Sequence, residues 1–183
     1  MLFRSAEKRG LPNLRRSPEA LDQLLTRQSR TLLTKLGIFT KAELESRFHV
    51  RLERYIKDML IEAHTLKEIV DTIILPAAFG YSGSLAASAA HAVSAGIKHT
   101  PQVAAANEVG ALIETLRECR DTLDDVIGKA EALHHDAPKQ AKLLTGAVAD
   151  AMAAARDASD ALELTVSDEL WPLPKYREML FPV

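Results

Sequence analysis

Apolar residues recur along this chain at the spacing of helices that bury one face, and the repeats are separated by Gly, Pro, Ser and Thr. Leu21, Leu24, Leu25, Leu32, Leu33 and Leu36 open the pattern, as one helix or two short ones. Ser17-Pro18-Glu19 starts it, with Ser at the N-cap and Pro at the first helical position, and Gly37 stops it. Thr40-Lys41-Ala42-Glu43 then reads as a capping box, in which the Thr hydroxyl and the Glu carboxylate each satisfy an orphan amide. The helix behind it carries a stripe of Leu44, Phe48, Leu52, Tyr55, Met59, Leu66, Ile69 and Ile73, with Glu43–Arg47 and Glu53–Lys57 as i,i+4 pairs on the wet side.

Pro76 interrupts that register, which resumes through Phe79, Leu85, Ala89 and Val93 before Gly96; this predicts a kinked helix or two nearly continuous ones. Thr100-Pro101 opens the next helix, to about His135, with Val109, Ile113, Leu116, Leu123, Ile127 and Ala130 inside. Asp136-Ala137-Pro138 starts the last long one, whose stripe of Leu144, Val148, Ala151, Ala155, Ala158, Leu162 and Val166 is rich in small residues. Pro172 and Pro174 end it near Leu170, and the single Trp, Trp171, with Tyr176 and Phe181, then needs a surface to bury against. The expected fold is all-α: an elongated antiparallel helical bundle with long, Pro-kinked helices and a C-terminal Trp/Pro hook.

Composition narrows the chemistry. The chain has 183 residues, 47% of them hydrophobic and only 5% aromatic, and the later helices have no Phe, Tyr or Trp between Tyr81 and Trp171, so they must pack through aliphatic side chains. From Thr72 to Ile97 there is no charged residue, a run long enough to span a bilayer, but Pro76, the glycines, the serines and His91 within it favour a buried central helix. The net charge of −2 conceals basic residues gathered in the first 36 positions and acidic ones beyond Pro101. Arg4, Lys8, Arg9, Arg15 and Arg16 lack the interleaved aromatics of a nucleic-acid binder, so residues 1–16 read as a basic linker resting on an acidic partner surface. Leu2-Phe3-Arg4-Ser5 is what the end of common sequencing adapters encodes, so residues 1–5 read as an artefact; residues 17–183 form the helical domain.

Candidate reactive groups are few. Cys119 stands alone, which excludes an internal disulfide. His134-His135-Asp136 is the one cluster resembling metal ligands, yet adjacent helical residues point about 100° apart and cannot share an ion as an i,i+4 pair does. Gly80-Tyr81-Ser82-Gly83-Ser84 has no Lys after its second Gly and no preceding strand, so it is read as a place of close helix approach, not a phosphate loop. His49, His64 and His91 lie on different faces without a nucleophile, and Glu118, Asp121, Asp124 and Asp125 read as solvated acids. No catalytic, cofactor-binding or metal-binding residue is assigned.

One resemblance runs from about Ala6 to the last residues, with a featureless gap across the two later helices. Ala6-Glu7-Lys8-Arg9-Gly10-Leu11-Pro12-Asn13-Leu14, Glu43-Leu44-Glu45-Ser46-Arg47-Phe48, Tyr55-Ile56-Lys57, Ile61-Glu62-Ala63, Ile74-Leu75-Pro76-Ala77, Tyr81-Ser82-Gly83 and Asp168-Glu169-Leu170-Trp171-Pro172-Leu173-Pro174 follow in the order found in type III glutamine synthetases. The chain resembles the C-terminal region of that family. The resemblance implies a cytoplasmic, homo-oligomeric enzyme that joins ammonia to glutamate with ATP and Mg2+, whose catalytic domains lie upstream of Ala6. This region would then be a scaffold that contacts the upstream catalytic domain and neighbouring subunits, inactive by itself and binding neither nucleic acid nor membrane. The alternative is a free-standing helical module that binds a partner protein.

Overall fold

The computed structural model describes residues 8–98 and 100–180; Met1–Ser5 and Phe181 lie outside the described residues. The described residues are helical and contain no strand: α1 (Ser17–Asp22), a 3₁₀ turn (Gln23–Leu25), α2 (Arg27–Lys35), α3 (Lys41–Ile69), a π-turn (Val70–Ile74), α4 (Leu75–Ser94), α5 (Pro101–Glu131), α6 (Ala137–Leu143), a second π-turn (Leu144–Val148), α7 (Ala149–Thr165) and α8 (Tyr176–Leu180).

The helix boundaries follow local chemistry. Thr40 Oγ1 accepts from the Glu43 amide at 3.2 Å while the Thr40 amide donates to Glu43 Oε2 at 2.7 Å, which completes the capping box. Those bonds to Thr40, backbone first, hold the Glu43 carboxyl below its usual range. Thr26 caps α2 through Ser29 and Asp136 caps α6 through Lys139. Gly37 and Gly96 adopt φ of 66° and 78°. After each, the next amide bonds five residues back, Ile38 to Leu33 and Ile97 to Ala92, and this motif closes α2 and α4. Helix α1 starts one residue earlier than expected: Arg16 occupies the extended N-cap position and Ser17 is already helical.

Pro76 explains the first π-turn. In α geometry its ring would crowd the Thr72 carbonyl, and it has no N–H to give. The preceding turn widens, and the Leu75 amide bonds to the Val70 carbonyl, five residues back. The chain thus resumes as α4 without a break, and Pro76 sits in the first turn, where a missing donor costs little.

Two compact units form, each discontinuous in sequence. The first runs to Ile61 and includes Lys129–Ala147; the second comprises Glu62–Gly128 and the chain from Val148 onward. In the first unit Leu44, Phe48, Leu52 and Ile56 are buried along α3, with Ala130, Ala141 and Leu144 buried in the later segment. Residues 8–16 are exposed, Leu11 and Leu14 included. In the second unit Val70, Ile74, Leu75 and Ala78 share a core with Val109, Ile113 and Leu116 of α5 and with Ala158, Leu162, Val166 and Trp171. Every inner-face residue expected for α5, and every one expected from Leu144 to Val166, is buried.

Two expectations fail. Beyond Leu52 the α3 stripe departs from the expected one: Ile56, Ala63, Val70 and Ile74 are buried, while Tyr55, Met59, Leu66, Ile69 and Ile73 are only partly covered. The spacing of 56, 63 and 70 is a seven-residue repeat, and the π-turn adds one residue before Ile74. The uncharged run is also not a buried helix. Beyond Ala78 only Ala89 is buried in α4, and Phe79 and Val93 are exposed. Its many Ala, Gly and Ser side chains lack charge but offer little apolar area to bury.

Candidate functional site

The described polar groups concentrate in the second unit, where the first π-turn meets α5. Asp71, inside the π-turn, accepts two parallel bonds from Arg120, Nε at 2.7 Å and Nη2 at 2.9 Å; Arg120 Nη1 donates to Asp121 at 2.8 Å. The bonds to Asp71, then those to Asp121, push the guanidinium pKa still higher. Lys67 pairs with Asp124, and its hydrogen bond holds that carboxyl below the ordinary range. As the first position rises by four, from 67 to 71, its partner falls by four, from 124 to 120. The two stretches therefore run in opposite directions where these pairs form.

A groove of about 500 Å³ adjoins this seam, lined by Phe79, Ile113, Glu114, Arg117, Glu118 and Asp121 among others. A smaller recess of about 120 Å³ beside Asp71 and Leu75 shares Arg117, Arg120 and Asp121. Acid–base catalysis needs two groups held across a cleft with separated pKa values. Here Asp71 and Asp121 both bond to one arginine, so the cluster fastens helices together.

Two further polar nodes act in the same way. In the first unit Thr145 gives its one hydroxyl proton to the Ala141 carbonyl at 2.7 Å, so the Tyr55 hydroxyl, 3.0 Å away, must be the donor to Thr145. Arg16 donates to the Thr145 carbonyl. In the second unit the Ser167 carbonyl accepts from the Leu170 and Trp171 amides, which turns the chain after α7. Lys175 then donates to the Glu163 carbonyl at 3.1 Å and pairs with Asp168, satisfying one of the last carbonyls of α7. Trp171 is 7% exposed, and Leu173 packs on the same core.

The residues weighed from sequence are dispersed. The His134 and His135 rings meet edge to face at 5.4 Å, while Asp136 is occupied by the Lys139 amide and by the Lys139 ammonium at 2.8 Å. That pairing lowers the Asp136 pKa and raises that of Lys139. His49 lies edge-on to Phe48, and His64 and His91 are on exposed faces. Among the described residues no three His, Cys, Asp or Glu side chains come together in a way that could hold a metal ion. Gly80–Ser84 lies inside α4; a Cβ built at Gly80 or Gly83 meets no atom within 4 Å, so neither glycine is required for close helix approach within this chain. Cys119 is half-buried against the core of the second unit. Asp121 and Asp124 are exposed, as expected of solvated acids, and each also forms an ion pair. Sequence gave no signal for Asp71–Arg120, because the partners are far apart in the chain and no local spacing encodes them.

Residues 3–93 match the family model described as the glutamine synthetase C-terminal domain. A type-3 glutamine synthetase of Dictyostelium discoideum is 32% identical over 183 residues, covering 96% of this chain and 25% of that protein. The chain matches the C-terminal region of type III glutamine synthetase. Glutamine synthetases of Bacteroides fragilis and Butyrivibrio fibrisolvens are each 29% identical, again over 96% of this chain and 25% of their own length. The chain thus spans about a quarter of the length of the curated glutamine synthetases it matches.

Proposed function

We propose that this chain is a scaffolding region of a type III glutamine synthetase, supporting the catalytic part of the enzyme and contacts between its subunits. Ligation of ammonia to glutamate, with ATP and Mg2+, is then the work of residues outside this chain, in a cytoplasmic homo-oligomer. The observation that carries this reading is the match over 96% of the chain to 25% of a type-3 enzyme. The polar seam fits a structural role: Asp71, Arg120 and Asp121, among the described residues, are engaged with each other.

The test is complementation. A type III relative shortened by its C-terminal quarter is expressed with and without this chain, and glutamine formation is followed with ATP, glutamate, ammonia and magnesium. The expected result is no turnover by this chain alone and turnover that depends on adding it to the shortened relative. Activity of the isolated chain that survives re-purification and is lost on mutating this chain overturns the proposal. So does a shortened relative that neither binds nor responds to it.

A further inference from the structure

We propose that the groove between α4 and α5 receives the segment Lys8–Arg15 of a second copy of this chain. The inference rests on the subunit-contact reading above and names the two surfaces. The groove holds about 500 Å³ and is lined by the apolar Phe79, 51% exposed, and Ile113, and by Glu114, Glu118 and Asp121, with Arg117 as its one base. The carboxylates of Glu114 and Glu118 have no ion-pair partner among the described residues. Gly110 lines the same groove, and a Cβ there meets nothing within 4 Å, so backbone can come close.

Lys8-Arg9-Gly10-Leu11-Pro12-Asn13-Leu14-Arg15 has the matching chemistry: three bases, no acid and two leucines, all exposed. No helix or strand is formed from Leu11 to Arg15, so the backbone is free to lie along a partner. Pro12 favours the polyproline II conformation, whose three-residue turn places Leu11 and Leu14 on one edge, about 9 Å apart. The leucines then face Phe79 and Ile113 while Lys8, Arg9 and Arg15 reach Glu114, Glu118 and Asp121. Such exposed charges set partner choice and salt dependence, with the apolar contact holding the segment in place.

The experiment is sedimentation equilibrium of the full chain at low and high salt, with the double variants R9E/R15E and E114R/E118R, and their mixture. All these positions are exposed, and circular dichroism with thermal melting checks that each variant folds. The expected result is reversible self-association that weakens with salt, falls about tenfold or more in each double variant, and returns when the two variants are mixed, since reversed segment then meets reversed groove. A fluorescein-labelled peptide of residues 6–16 should bind the wild-type chain and not E114R/E118R. A chain that stays monomeric at every concentration, or a peptide that does not bind, overturns the inference. Self-association indifferent to all four substitutions also overturns it, while leaving the scaffolding proposal intact through another face; failure of complementation alone would instead count against that proposal.

Discussion

Replacing Trp171 separates what its apolar surface contributes from what its N–H costs. The side chain is 7% exposed and belongs to the core of the second unit, and its indole nitrogen is buried without an acceptor among the described residues. Burying about 200 Å² of indole at about 25 cal/mol/Å² contributes about 5 kcal/mol. An unpaired buried donor takes back about 1–3 kcal/mol of that. Trp171→Ala forfeits the remainder and leaves a cavity, for an expected loss of about 3–5 kcal/mol. Trp171→Phe keeps most of the apolar contact and removes the orphan donor, so it should fall within about 1.5 kcal/mol of wild type. Urea unfolding followed by far-UV circular dichroism measures both, because neither variant retains a tryptophan to report. An unchanged midpoint in Trp171→Ala would refute the burial argument, and so would a water-like emission maximum from the folded wild type. Equal damage from Phe and Ala would show that the N–H has a partner and that the offset was wrongly assigned.

Pro76→Ala restores an amide aimed at the Thr72 carbonyl and favours α geometry across Val70–Ile74; closing the π-turn would rotate Asp71 by about 100° away from Arg120. The expected variant keeps its helical circular dichroism but unfolds less cooperatively, and an unchanged m-value with a higher melting point would show that the wide turn has no packing role. Lys175→Met removes the donor to Glu163 and the partner of Asp168, and should cost about 1–2 kcal/mol while speeding proteolysis between Ser167 and Pro174; no change in cleavage there would contradict it. Glu43, Asp124 and Asp136 all have folded pKa values below their unfolded ones, so the stability they confer is present above about pH 4 and is lost as pH falls through the folded values. Glu43→Gln should flatten the acid limb of a melting-temperature profile below about pH 4.5 and leave its alkaline side unchanged.

Much of this architecture was legible because it is local. A capping box needs only Thr40 and Glu43, and a left-handed helix stop needs only Gly37 or Gly96. The inner faces from Val109 to Ala130 and from Leu144 to Val166 were readable because their apolar residues recur at steps of three, four and seven. Along α3 the signal was ambiguous. Tyr55 and Ile56, or Ile73 and Ile74, are adjacent apolar residues, and Ala63, fully buried, is too small to mark a stripe. The π-turns were illegible for a related reason: one extra residue per turn changes the phase without changing composition. As for the polar seam, Asp71 in the first π-turn and Arg120 in α5 are 49 positions apart, and only the fold makes them neighbours.

The interleaving of the two units governs how the polypeptide can mature as it leaves the ribosome. Leu44, Phe48 and Leu52 are synthesised early, but the first unit is complete only when Ala147 has been made; the second waits for Trp171. A vectorially emerging chain therefore carries its first apolar helix uncovered through the synthesis of about a hundred further residues, an interval in which holdase chaperones would be recruited. No cut in the gene separates one unit from the other, and a product ending anywhere between Gly128 and Trp171 leaves at least one core open.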